Sequence, residues 1–162
     1  MPDAPTPRSG NTLNIHATCV AIDGAAALII GPSGSGKSDL ALRCVSQPFH
    51  LLGQTVTLSL VADDRVDLTR ESDTLIARPP PSLAGLIEVR GIGITTLCYR
   101  AQAPVRLVVD ISPDRALARL PDPQPVQDFL GITLPVLVVR PFEASAPAKL
   151  ILALQVAARS TS

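Results

Sequence analysis

The residues best equipped for chemistry stand together in Gly31-Pro32-Ser33-Gly34-Ser35-Gly36-Lys37-Ser38. Each residue type has a task in holding phosphate. Glycines let successive backbone N–H groups turn inward around anionic oxygens, the lysine reaches the β- and γ-phosphates, and the serine hydroxyl completes a Mg²⁺ shell. The setting also suits this chemistry: the apolar run Ala25 to Ile30 comes before the loop and a helix-forming stretch follows it. The positive end of that helix would face the phosphates. A loop for a nucleoside triphosphate or a close phosphate analogue is expected. A glycine-rich strand-to-helix turn that binds nothing is the alternative.

Metal-bound phosphate also needs acidic groups, which usually stand at the end of an apolar strand. Leu58-Ser59-Leu60-Val61-Ala62 leads into Asp63-Asp64, and Leu107-Val108-Val109 leads into Asp110. Adjacent carboxylates cannot both ionise freely, so one can exchange a proton while the other stays charged near a metal. Acidic turn residues at a strand end are the alternative for that pair. Asp110 reads as a strand-terminal cap and as a reserve metal ligand. His16 lies on a strand whose alternation could aim it at either face, where a histidine is more often structural than catalytic; His50 reads as a surface loop residue.

These groups need elements to position them. Ile15 to Ile22 and Ala25 to Ile30 flank Asp23-Gly24, a strong hairpin signal, so the loop leaves the second arm of a β-hairpin. Leu40, Ala41, Cys44 and Val45 have helical spacing after Lys37, and Pro48 ends that helix. Gln54 to Asp63 reads as one strand, followed by short strands at Val66–Leu68, Thr74–Ala77, Leu86–Val89 and Ile94–Leu97, with Pro79-Pro80-Pro81 as a stiff surface turn. Val105 to Ile111 and Ile132 to Val139 read as apolar strands, Pro121 to Pro125 as a loop between them, and Pro147 to Ala158 as a final helix. Residues 1–12, rich in proline at their start, are expected to be a disordered arm, and 13–160 a single domain.

At 162 residues and 46% hydrophobic, the chain can bury one real core. With three Phe, one Tyr and no Trp, that core is aliphatic and stacking on nucleobases is poorly provided for. Fourteen basic and fourteen acidic residues balance, which argues against nucleic acid or anionic lipid as partner. Cys19, Cys44 and Cys98 are odd in number and widely spaced, so they read as buried thiols suited to a reducing cytosol. No apolar stretch reaches the roughly 20 residues of a membrane helix.

Taken in order, an Ile-His strand, GPSGSGKSDLAL, LVADDRVDL and IEVRGIGI resemble the catalytic domain of HPr kinase/phosphorylase. The segment Glu88-Val89-Arg90-Gly91-Ile92-Gly93-Ile94 is the most specific part. The resemblance implies one α/β domain of the P-loop type, with a mixed sheet and a phosphoenolpyruvate carboxykinase-like nucleotide site. It implies transfer of the ATP γ-phosphoryl to a serine of the phosphocarrier HPr, with Mg²⁺, and phosphorolysis in many members. It further implies a short, cytoplasmic form consisting of the catalytic part, in a family whose longer members are hexamers.

Residue by residue, the resemblance puts Lys37 on the nucleotide phosphates, Ser38 and Glu88 on the metal, and Asp64 on the serine proton, with Asp63 beside it. It gives His16, 21 residues before Lys37, the place of an active-site histidine, and Arg119 that of an arginine facing the transferring phosphoryl group. The chain departs from the family in about nine extra residues around Pro48 to Val56. It also departs at Val139 to Lys149, where a Gly-Arg pair tied to dephosphorylation is absent, so kinase activity is the stronger expectation. Three rivals remain. A small-metabolite kinase would need an arginine-rich lid, and no such cluster is evident. A GTPase would need Asn-Lys-x-Asp, which is absent; Asp128-Phe129-Leu130-Gly131 reads as a loop. A non-catalytic ATP or phosphate sensor is the third.

Overall fold

A computed structural model of the chain describes residues 6–8 and 10–160. It begins with β1 (Thr6–Arg8), β2 (Thr12–His16), β3 (Thr18–Ile22) and β4 (Ala25–Ile30), which leads through the glycine-rich loop into α1 (Lys37–Val45). Next come β5 (Phe49–Leu51), β6 (Gln54–Val56), β7 (Ser59–Ala62), β8 (Arg65–Glu71) and β9 (Thr74–Arg78). A 3-10 turn at Pro81–Leu83 precedes the hairpin of β10 (Leu86–Val89) and β11 (Gly93–Thr96). The remaining elements are β12 (Ala103–Asp110), β13 (Val126–Phe129), β14 (Ile132–Val138) and α2 (Ala146–Arg159).

Ten strands form one mixed sheet in which β12 is the branch point. It pairs antiparallel with β9 at Ala103-Pro104, runs parallel to β4 from Val105 to Asp110, and takes β14 in parallel over Val108 to Asp110. The carboxyl ends of β4, β12 and β14 therefore meet, with Asp110 opposite both Ile30 and Val138.

Alternation along the strands explains why they read as continuous apolar runs. Ala26 and Leu28 of β4 pack into a core with Ile15, Val66, Leu68 and Leu75, while Ala25, Ala27 and Ile29 face a second core with Leu40, Cys44, Leu150 and Leu154 of the helices. β12 divides likewise, Val105 and Val108 on one side, Leu107 and Val109 on the other; a register shift between Val105 and Leu107 accounts for the broken alternation. Small alanines on β4 let the helices approach closely, and each fully buried leucine contributes about 2 kcal/mol.

The expected hairpin across Asp23-Gly24 is present, with Ile22 opposite Ala25, and both helices fall where their spacing puts them. Several expectations are corrected. Thr6–Arg8 is a strand along β2, because an open strand edge offers unpaired backbone groups and tolerates a proline; of the arm expected at 1–12, residues 1–5 and 9 lie outside the described residues. The strand expected over Gln54 to Asp63 is two. β6 folds back on β5 through Leu52-Gly53, both at positive φ, so exposed His50 lies on a strand, while β7 joins β3. Asp128-Phe129-Leu130-Gly131 is not a loop but the turn of the β13–β14 hairpin: Leu130 and Gly131 take positive φ, and the Gly131 N–H donates to Asp128 Oδ1 at 2.9 Å. Pro80 of the proline run is buried.

Cys98 is exposed, against expectation, whereas Cys19 and Cys44 are buried. Burial pushes the Cys19 thiol far above its ordinary range and the Cys44 thiol up to about 12, the latter partly offset by neighbouring Arg43. A thiolate-specific disulfide reagent at neutral pH is therefore expected to label Cys98 alone in the native protein and all three cysteines once the protein is unfolded. Rapid native labelling of three thiols would contradict this packing.

Candidate active site

The loop after β4 is closed by its own hydrogen bonds. Ser35 donates to the Pro32 carbonyl through both its hydroxyl, at 2.6 Å, and its N–H, at 3.1 Å, turning its side chain away from the cleft. Gly34 and Gly36 sit at φ 77° and 108°, in the left-handed region that suits glycine. A Cβ on Gly36 would also stand 2.9 Å from the Phe142 ring, so a larger residue there would have to push that ring aside. Helix α1 starts at once, with the Leu40 N–H on the Gly36 carbonyl at 3.0 Å.

Lys37 is 6% exposed, and its Nζ donates to the carbonyls of Gly31 and Pro32 at 2.8 and 2.9 Å. Loss of water lowers its pKa below the ordinary lysine value, and the charges of Asp63 and Asp64 pull it partly back. Ser38 donates its hydroxyl to Asp63 Oδ1 at 2.7 Å.

Asp63 is 4% exposed and closely tied. The same Oδ1 accepts the Thr18 hydroxyl at 2.8 Å, and Oδ2 accepts the Glu88 N–H at 3.3 Å. Asp64 is its opposite: its side chain is 68% exposed, its φ is +67°, and Oδ1 lies 3.4 Å from His16 Nε2. The strands explain this pairing. β2 with β8 sets His16 opposite Arg65, and β3 with β7 sets Cys19 opposite Ala62. The turn at Asp63-Asp64 thus crosses the break at Ala17, whose N–H donates to the Asp64 carbonyl at 3.3 Å.

His16, Lys37, Ser38 and Asp64 line a cleft of about 390 Å³ that also takes in Ser33, Gly34, Glu88 and Arg90, whereas buried Asp63 is not part of its lining. His16, Lys37, Ser38, Asp64 and Glu88, expected together, are together. Arg119 is not: it is exposed on the β12–β13 connection and does not line the cleft. That connection runs over the surface; among the described residues, Arg90 of the β10–β11 hairpin is the guanidinium that lines the cleft. Asp110 caps its strand end, accepting the Ser112 N–H and Arg115 Nη1, both at 2.9 Å. Thr18, Arg90 and Phe142 line the cleft without having been singled out. Arg90 lay within a quoted motif and Thr18 two residues beyond His16; no sequence pattern marks Phe142.

A branched mixed sheet, covered by two helices and carrying a glycine-rich loop between a parallel strand and a helix, defines this as a mixed α/β domain. The family model described as HPr Serine kinase C-terminal domain matches residues 9–161, and the chain belongs to that family. It is 32% identical to HPr kinase/phosphorylase of Ralstonia nicotianae, with 94% of this chain and 47% of that protein covered. Against HPr kinase/phosphorylase of Lacticaseibacillus casei the identity is 31%, with 78% and 40% covered. The chain thus spans less than half the length of these curated relatives. Its fold matches that of the Hpr(Ser) kinase/phosphatase from Coxiella burnetii with a TM-score of 0.72 and 25% identity, over 91% of this chain and 92% of that one.

Because Lys37 is desolvated while the protein is free, a bound polyanion favours its protonated form and raises its pKa. Binding of pyrophosphate in the alkaline range is therefore expected to take up protons, seen as a dependence of calorimetric enthalpy on buffer ionisation. Lys37→Met should abolish that uptake.

Proposed function

We propose that this chain is the catalytic part of a Mg²⁺-ATP-dependent serine kinase acting on an HPr-like phosphocarrier. The observation that carries the reading is the division of labour between adjacent carboxylates: Asp63 is buried and bonded to the loop serine, and Asp64 stands open beside His16. Phosphoryl transfer asks for positioning, charge neutralisation and one proton acceptor, and this cleft supplies each.

The residues fit a magnesium ion. Ser38 and Asp63 present hard oxygen donors 2.7 Å apart at the start of α1, with Glu88 alongside. Mg²⁺ is usually held through one or two carboxylates and takes most of its other ligands from substrate phosphates and water, which this set of donors would allow. When bound there, Mg²⁺ would neutralise charge on the β- and γ-phosphates.

Lys37, now on loop carbonyls, would exchange them for phosphate oxygens, while backbone N–H groups of the loop and the first turn of α1 other than that of Ser35 would hold the remainder. Asp64 would accept the proton of the carrier serine as its oxygen bonds to the γ-phosphorus and the bond to ADP breaks. His16, at 3.4 Å, would hold that carboxylate in place and stabilise its charge. Arg90 rather than Arg119 would face the transferring group. In the reverse direction phosphate would attack the phosphorus of phosphoserine, the bond to the serine oxygen would break as Asp64 returns a proton to that oxygen, and pyrophosphate would form. The kinase direction is the stronger reading, because Phe142-Glu143 occupies the stretch without Gly-Arg and Glu143 is bound to Lys149 at 2.9 Å. Homo-oligomeric assembly and a cytoplasmic setting, in keeping with free thiols, belong to the same proposal; no helix among the described residues is long and apolar enough to cross a membrane.

Incubation with ATP, Mg²⁺ and HPr, followed by intact-mass analysis, is expected to show one added phosphoryl group on a serine. Asp64→Asn should slow transfer by about 10²- to 10⁴-fold with nucleotide binding retained, whereas Asp63→Asn, which weakens the bonds from Ser38, Thr18 and the Glu88 N–H, should lower the unfolding temperature as well as raise the Mg²⁺ requirement. Transfer that survives Lys37→Ala overturns the loop's role. Near-normal turnover in Asp64→Asn with none in Asp63→Asn would exchange the two carboxylates. Tight ATP binding without transfer to HPr would point to a metabolite kinase or a sensor.

A further inference from the structure

We infer that an apolar cavity beside the glycine-rich loop receives the base of the bound purine nucleotide, with the Phe142 ring as its stacking platform. This rests on the reading of Gly31 to Ser38 as the phosphate site. In open α/β sheets ligands lie outside the carboxyl ends of the strands. Here β4, β12 and β14 end side by side, and three segments leave that edge: the loop, Ile111 to Pro113, and Arg140 to Glu143. Between them lies a cavity of about 490 Å³, walled by Gly34, Ile111, Pro113, Pro141 and Phe142. It is large enough for a purine, and it shares Gly34 and Phe142 with the phosphate cleft, so one extended ligand can reach into both.

Phe142 is 72% exposed, so its ring is accessible to a ligand at the mouth of both cavities. Its segment is pinned: Arg43 donates to the Pro141 carbonyl, and Arg140 donates to the carbonyls of Ser112 and Arg115, at 3.4 and 2.9 Å. The ring therefore stands ready against Gly36, and little ordering is left for binding to impose. Polar side chains around the cavity are committed elsewhere, Arg140 to those carbonyls, Glu143 to Lys149 and Ser35 to Pro32. Stacking and shape, rather than side-chain hydrogen bonds to the base edge, hold the base. Adenine and guanine nucleotides should thus bind with similar strength.

The test compares ATP, GTP and inorganic tripolyphosphate, each with Mg²⁺, by calorimetry on the full chain and on Phe142→Ala, Phe142→Tyr and Lys37→Met. For the unaltered chain, ATP and GTP should agree within about fivefold, since the polar side chains lining the cavity, Ser35, Arg140 and Glu143, are bonded elsewhere. Phe142→Ala should weaken both nucleotides by about tenfold or more and leave tripolyphosphate within about twofold, with Phe142→Tyr restoring the nucleotides. An unchanged unfolding temperature for ligand-free Phe142→Ala is the check that the mostly exposed ring is not a fold determinant. Equal weakening of tripolyphosphate and ATP would mean that Phe142 only props the loop, and unaltered ATP affinity would mean that the base lies elsewhere; either overturns the inference. A preference above about a hundredfold for one base overturns the shape-only recognition. Failure of the phosphate reading looks different: the unaltered chain binds none of the three, or Lys37→Met changes nothing.

Discussion

The Asp63 carboxylate is the knot of this molecule. Burying an ionised carboxylate is costly unless hydrogen bonds replace the lost water. Asp63 draws them from three places at once: the Ser38 hydroxyl on α1, the Thr18 hydroxyl on β3 and the Glu88 N–H on β10. None of these donors is near it in the chain. The charge is therefore satisfied only when the helix, the central sheet and the β10–β11 hairpin have all arrived, so that folding and assembly of the cleft become one event.

Asp64 gains its character from the same turn. Its neighbour is consumed by structure and it is not; the backbone at φ +67° swings its side chain out toward His16. Aspartate adopts such angles more readily than most residues, which makes this two-residue turn a cheap way to separate two equal groups. Lys37 shows a related economy. Its ammonium is nearly buried and rests on two carbonyls of its own loop, held within reach of the cleft by contacts that a better anionic partner can displace.

Branching at β12 gives the second organising constraint. By ending in parallel beside β4 and β14, that strand gathers three connections at one edge, and the loop, Ile111 and Phe142 become neighbours although they lie far apart in the chain. Aromatic content alone argues against base stacking, yet the topology sets one phenylalanine ring against Gly36 at the edge of the loop. Much of the fold was legible: the Asp-Gly hairpin, the helix from Lys37, the long apolar strands and the last helix all follow from periodicity and turn chemistry. What escaped were the short pieces, such as Phe49–Leu51 and Val126–Phe129, whose strand state is set by partners and not by pattern.

The sequence by itself determined the loop with its lysine and serine, because spacing within a strand-loop-helix is a local property of the chain, whereas the place of His16 beside the carboxylate pair followed only from the family resemblance. Only the tertiary structure decided which aspartate is buried and which is open, that Arg90 and not Arg119 lines the cleft, that Cys98 is exposed, and that Phe142 borders the loop. Each of these depends on strand pairing between distant segments, His16 with Arg65, Cys19 with Ala62 and Asp110 with Ile30 and Val138, and long-range pairing leaves no periodic trace in the order of residues.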